Sequence, residues 1–133
     1  VNETTDKRPT VLVCGGRNYS NRGLVFKTLD EIGPKAVVHG ACGVDADDPY
    51  WLDMKGADDI ADDWACRRGV EKHRRPAAWK RLGRKAGPIR NQQMLDEFAG
   101  RIALVVAFPG ESGTADMVRR AKKAGIRVIE VTK

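Results

Sequence analysis

One stretch near the end of the chain limits what the rest can fold into: Leu104-Val105-Val106-Ala107-Phe108-Pro109-Gly110-Glu111-Ser112-Gly113-Thr114-Ala115. Its apolar run reads as a buried strand that breaks at Pro109-Gly110, and a helical pattern begins at about Thr114. A strand feeding a glycine-rich turn and then a helix is where α/β proteins hold phosphates. The helix start offers unpaired backbone N–H groups and a partial positive charge. Glycine lets a ligand approach the backbone closely. The turn is therefore expected to floor a nucleotide-type site on which other loops converge.

The same order recurs along the chain. Thr10-Val11-Leu12-Val13-Cys14 is a short apolar run ending at Gly15-Gly16, consistent with a central parallel strand. A helix follows with Leu24, Val25, Leu29 and Ile32 on one face, Asn21 as N-cap and Gly33-Pro34 as stop. Ala36-Val37-Val38-His39 is a second strand, ending at Gly40 and completing a β-α-β unit. Residues 41–54 read as an inserted loop whose Tyr50-Trp51-Leu52 patch packs down or forms a contact surface. Ala57, Ile60, Ala61, Trp64 and Ala65 recur at helical spacing, with Trp64 in the core and Gly69 as stop. Residues 70–75 read as a polar strand near a sheet edge, left through a Pro76-Ala77-Ala78-Trp79 loop. Ala86-Gly87-Pro88 opens another helix, with Pro88 at its first position and Ile89, Met94, Leu95 and Phe98 buried. The last helix turns Ala115, Val118, Ala121 and Ala124 inward, Gly125 caps it, and residues 127–131 form the final strand. Strands separated by helices throughout predict a three-layer α/β/α sandwich with a mostly parallel sheet of about five strands.

Length fits one domain at residues 10–133 after a flexible tail at 1–9, and that tail lacks the apolar centre of a secretory signal. No apolar run approaches the ~20 residues of a membrane span. Cys14, Cys42 and Cys66 show no C-x-x-C spacing, and histidine is limited to His39 and His73. A disulfide framework or zinc site is not expected, and a cytoplasmic setting fits. Asp45-Ala46-Asp47-Asp48 lacks the glycine and closing glutamate of a calcium loop, so no metal is expected. The net charge of +6 is uneven. Residues 45–63 hold eight Asp and one Lys, while residues 67–90 hold ten Lys or Arg and one Glu. Such asymmetry marks a nucleic-acid or anion surface, a solvated face, or complementarity between subunits.

In an open parallel sheet, ligands bind beyond the carboxyl ends of the strands. That selects Gly15, Gly16 and Arg17 after the first strand, Gly40 after the second, Trp79 after the third, and Pro109, Gly110, Ser112, Gly113 and Thr114 after the fourth. Arg17 and Arg90 would give charge-assisted hydrogen bonds to phosphate, and Ser112 and Thr114 would add hydroxyl donors. Trp79 reads as packing or as a stacking platform. There is no G-x-G-x-x-G fingerprint and no P-loop lysine.

These residues also carry a family resemblance. Gly15-Gly16-Arg17-Asn18-Tyr19, His39-Gly40, Gly56-Ala57-Asp58 with Ala61 and Trp64-Ala65, Pro76-Ala77-Ala78-Trp79, Ala86-Gly87-Pro88-Ile89-Arg90-Asn91, and Phe108-Pro109-Gly110 with Gly113-Thr114-Ala115-Asp116-Met117 resemble the YspA/YpsA-related branch of the SLOG superfamily. The resemblance implies a Rossmann-like fold, a nucleotide or nucleotide-derived ligand, and a homodimer or homotetramer. It adds Asn18, Tyr19, Asp58 and Asn91 to the ligand-binding set, and implies no cofactor beyond that ligand. It also brings LOG phosphoribohydrolases and DprA into view. LOG enzymes keep a catalytic Glu three residues after the Thr of the G-T pair, where this chain has Met117, and Glu111 stands where relatives have a second Gly.

Three functions follow in order. The first is a sensor or sequestering module that captures the ligand without turning it over. The second is a nucleoside-monophosphate N-glycosidase, in which Arg90 and Asp116 would be catalytic. The third is nucleic-acid binding through the basic 67–90 segment, ranked last because single strands require stacking platforms beyond Trp79.

Overall fold

The computed structural model describes residues 6–133. In chain order the elements are β1 (Thr10–Cys14), α1 (Arg22–Ile32), β2 (Ala36–His39), α2 (Gly56–Arg68), β3 (Glu71–Arg74), α3 (Trp79–Leu82), α4 (Ala86–Glu97), β4 (Ile102–Ala107), α5 (Ser112–Lys123) and β5 (Arg127–Glu130). The strands form one sheet, ordered β3-β2-β1-β4-β5, and every pairing is parallel. The chain builds outward from β1 to β3, then crosses back to place β4 on the other side of β1. That reversal opens a crevice over the carboxyl ends of β1 and β4.

Alternation along β1 explains the layers. Val11 and Val13 face α1 and α2, packing with Val25, Leu29, Ala57, Ala61 and Trp64. Leu12 faces the opposite layer with Val105, Met94, Leu95, Phe98, Met117 and Ala121 of β4, α4 and α5. A central strand covered on both faces needs apolar side chains at successive positions, hence its unbroken apolar run. Edge strands β3 and β5 keep polar, partly exposed residues. Asn21 Oδ1 caps α1 by accepting from Leu24 N at 3.2 Å, and Gly33 and Gly69 end α1 and α2 in the left-handed conformation.

Four local expectations are corrected. Trp79 is not in a loop but opens the short α3, and a single 3-10 turn at Gly83–Lys85 joins it to α4. Because α4 starts at Ala86, Pro88 is its third residue, where a missing N–H still costs no helical bond. Ile89 is 39 % exposed, and in α5 Ala115 and Ala124 face solvent while Asp116 and Met117 turn inward. Alanine spacing misplaces that face because Met117 buries far more apolar area than an alanine, so it determines which side docks.

Residues 41–54 are held against α3. Asp45 bridges Asp48 and Ala77, its Oδ1 accepts from Lys80 N at 2.9 Å, and Trp51–Asp53 forms a 3-10 turn. Tyr50 and Leu52 are exposed, and the Arg74 guanidinium lies 5.0 Å from the Trp51 ring centre. Of the expected N-terminal tail, residues 1–5 lie outside the described residues. Asp6 and Pro9 are tied to Lys35, which donates its Nζ to Asp6 O and its backbone N–H to Pro9 O. No helix among the described residues is long and apolar enough to cross a membrane.

Candidate functional site

The β1 and β4 turns are sewn together above the sheet. Phe108 N donates to Cys14 O, Gly16 N donates to Pro109 O, both at 2.9 Å, and Gly16 O accepts from Tyr19 N and Ala57 N. A side chain would be cramped at Gly16 and would collide at Gly110. A Cβ on Gly16 would lie 3.1 Å from Gly110 Cα, and one on Gly110 would lie 2.7 Å from Gly16 N and against Thr114 Oγ1. These two glycines therefore serve loop-to-loop packing, and Gly16 N–H is already spent on Pro109. Among the glycines that line the cavity, Gly113 alone has open space at its Cβ position, with nothing within 4 Å.

Between these turns lies a cavity of about 500 Å³. Gly15, Gly16, Arg17, Asn18 and Tyr19 form one wall, and Pro109, Gly110, Ser112, Gly113 and Thr114 form another. Gly40, Asp58, Trp79, Arg90 and Asn91 close the far side. All the ligand-binding candidates thus come together on one cavity. Asp116, the conditional catalytic residue, does not line it. Cys14, Cys42, Gly87, Met94 and Glu111 line it as well, outside the expected set. Burial pushes the Cys14 thiol up to about 12, so it is protonated and unreactive at neutral pH.

At α5 the first helical bond is Ala115 N–H to Glu111 O, and Glu111 gives no side-chain cap. The N–H groups of Ser112, Gly113 and Thr114 are thus the orphan donors of a helix start, opening on the cavity. Glu111 itself is exposed at the rim. Arg17 is exposed beside them and makes no ion pair or side-chain hydrogen bond among the described residues.

Arg90 has another role than the sequence reading gave it. Its Nη1 donates to Gly40 O at 2.5 Å and Arg75 O at 3.3 Å, and Nε donates to Asn91 Oδ1 at 3.0 Å. The guanidinium lies where a Gly40 side chain would be, so Gly40 is glycine to admit it. Burial lowers the Arg90 pKa, opposed by the charge of Asp58. Asn91 is likewise engaged, its Nδ2 donating to Gly113 O and to Asp116 Oδ2 at 3.0 Å. Asp116 also accepts from Arg119 at 2.7 Å and Arg120 at 2.8 Å. Burial alone would raise its pKa, but the Arg120 and Asn91 hydrogen bonds outweigh that and lower it. It joins α4 to α5 rather than facing the cavity, and Met117 lies in the core.

Behind the Gly40 wall stands a buried network that the sequence reading missed. His39 Nδ1 accepts from Ala41 N at 3.0 Å, so the ring proton sits on Nε2 and is donated to Asp62. Arg74 grips both Asp62 oxygens at 2.7 and 2.8 Å. Burial would raise the Asp62 pKa, but Arg74 and His39 hold the carboxylate well below its ordinary range. The His39 bond supports Ala41 at φ 48°, the non-glycine residue found in left-handed backbone among the described residues. The strained turn then aims Cys42 N–H at Asp58 Oδ2, 3.1 Å away. A histidine closing an otherwise apolar strand is the sequence signal for such a network.

Part of the uneven charge is paired within the chain. Arg67, Arg74, Arg81 and Lys80 pair with Asp63, Asp62, Asp47 and Asp48, while Arg68 and Arg75 pair with Asp30 and Glu97. The acidic segment is thus folded against the basic one.

Fold and cavity together define a Rossmann-like α/β protein with its candidate site at the reversal in strand order. In sequence the chain is 38 % identical over 133 residues to the Gene 61 protein of Mycobacterium phage D29, covering 90 % of this chain and 93 % of that protein. It belongs to the family of that phage protein. No family model matches the chain. Among solved structures, the C-terminal domain of a hydrogenase from Pyrococcus furiosus aligns with a TM-score of 0.57 at 13 % identity, over 98 % of this chain and 96 % of the other. The tRNA N6-threonylcarbamoyladenosine dehydratase of E. coli, in complex with AMP, aligns with a TM-score of 0.52 at 10 % identity. That match covers 90 % of this chain and 49 % of the dehydratase chain. At these identities the likeness is one of fold.

Proposed function

We propose that this protein binds a nucleotide or nucleotide-derived ligand over β1 and β4, as a sensor or sequestering module. One observation carries the reading: the uncapped start of α5 opens on the same cavity as Arg17, unpaired among the described residues, and the half-exposed ring of Trp79. Orphan N–H groups and a free cation suit phosphate. The indole, backed by Gly87 with no room for a Cβ between them, gives a flat apolar surface for a base. The resemblance to the YspA/YpsA-related SLOG branch supports the same reading, and so does the AMP complex of the E. coli dehydratase that shares the fold. Binding without turnover is favoured because Asp116 is tied between α4 and α5 and Met117 is in the core. The resemblance further supports a homodimer or homotetramer.

Calorimetry with AMP, GMP, UMP and ADP-ribose tests the reading. Binding in the micromolar to millimolar range is expected, weakened roughly tenfold by Arg17→Ala through loss of one charge-assisted contact. No heat from any of them at millimolar concentration overturns it.

A further inference from the structure

Asp58 is 6 % exposed and contributes to the cavity wall, yet only one of its carboxyl oxygens is used. Oδ2 accepts the Cys42 N–H, whereas Oδ1 is sealed from bulk solvent with no hydrogen-bond partner. No other buried side-chain nitrogen or oxygen among the described residues is left so. Folded proteins avoid such orphans, each of which costs about 1–3 kcal/mol.

The same wall holds a second unfilled group. Arg90 spends Nη1 and Nε on Gly40, Arg75 and Asn91, while its Nη2 has no partner among the described residues. Asp58 and Arg90 are close enough to feel each other's charge, but they make no ion pair. Burial pushes the Asp58 carboxyl up, while the charges of His39 and Arg90 hold it down. As a carboxylate it would repel a phosphate that suits Arg90, and Arg90 would repel a cation that suits Asp58. A neutral group that both donates and accepts satisfies the two together.

Building on the nucleotide reading, we propose that Asp58 and Arg90 form a polar subsite for the uncharged part of the ligand, with Asp58 Oδ1 accepting from it and Arg90 Nη2 donating to it. Two parts of a nucleotide have this chemistry: a ribose hydroxyl, and a base edge that sets a donor beside an acceptor, with the two in opposite order on guanine and adenine. The phosphate would then lie at α5, across the cavity. The subsite selects for composition where the α5 turn selects only for charge.

The test is calorimetry on the full chain with GMP, AMP, 2′-deoxy-GMP, 2′,3′-dideoxy-GMP and inorganic phosphate, repeated on Asp58→Asn with a thermal melt of each protein. In the variant the amide oxygen remains on Cys42 N–H, so the NH2 group takes the place of Oδ1 and meets the ligand's donor with a donor. Affinity for the preferred nucleotide should fall at least about tenfold, with affinity for inorganic phosphate unchanged. If ribose is the source, the deoxy ligands lose affinity on the wild-type protein. If the base edge is the source, GMP and AMP differ in affinity, because their donor and acceptor stand in opposite order, and the deoxy ligands lose none. Ligand changes on unaltered protein remain decisive even if the variant unfolds. The subsite is overturned if all four nucleotides bind the wild type within twofold of one another, or if a folded Asp58→Asn binds as the wild type does. Absence of any nucleotide binding by the wild type overturns the parent reading and the subsite with it.

Discussion

His39 Nε2 lies 2.8 Å from Asp62 Oδ2, with the side chains 0 % and 5 % exposed, and the other ring nitrogen holds Ala41 N–H. A bond made in the core thus sets the turn that presents Gly40 and Cys42 to the cavity. Asp62→Asn should cost about 3 kcal/mol, because Arg74 and His39 lose the carboxylate they share. The Asp62 pKa is depressed in the folded state. Its stabilisation is therefore complete above the unfolded carboxylate pKa of about 4 and declines as pH falls through the lower folded value. Urea denaturation of both proteins across the acid range checks this. The stability gap should be constant above about pH 5 and narrow on acidification.

The seam between the β1 and β4 turns gives a contrast between two glycines three residues apart. Gly110→Ala should lose about 1–3 kcal/mol, since its Cβ would be forced onto Gly16 N and Thr114 Oγ1. Gly113→Ala, with open space at the Cβ position and helical backbone, should be neutral or gain up to about 1 kcal/mol. Paired thermal melts decide it. Equal losses at both sites would show that the seam is not tightly packed.

Arg17 and Arg90 differ in what they do for the fold. Arg17→Ala should leave the melting temperature unchanged while weakening AMP. Arg90→Ala should lower stability by about 1–3 kcal/mol, because Gly40 O loses its donor and the space above Gly40 empties. A stability-neutral Arg90→Ala would contradict the clamp.

Charge pairing within the chain bears on nucleic acids. A mobility shift with single-stranded DNA should be absent at physiological salt. Asp47→Ala combined with Asp48→Ala should strengthen binding at low salt by releasing Arg81 and Lys80. Each of these exposed pairs should contribute no more than about 1 kcal/mol to folding.

Incubation with AMP, GMP or CMP should release no free base. Asp116→Asn should act instead on stability, by about 1–2 kcal/mol, since Arg120 and Arg119 lose their acceptor. Base release that depends on Asp116 would restore the glycosidase reading.

What was legible and what was not follows one division. Local chemistry marks element ends: Asn21, Gly33 and Gly69 perform the capping their types suggest, and the periodic face of α2 is buried as spaced. The face of α5 was misread because alanine is nearly indifferent to burial. That these residues line one cavity was legible because an open parallel sheet brings its carboxyl-end loops together whatever their details.

The sequence by itself determined the alternation of strands and helices, the parallel sheet, and which loops meet over β1 and β4, since periodicity and turn residues are local properties. Only the tertiary structure decided what each of those residues does there. Among the described residues Arg90 is a clamp and Arg17 a cation without a partner, Gly16 and Gly110 are packing contacts, and Asp58 keeps an unfilled lone pair. Those roles depend on partners distant along the chain, from Gly40 to Arg90 and from Gly16 to Pro109. A residue's type states how many hydrogen bonds it can make, and only its surroundings state how many are already made.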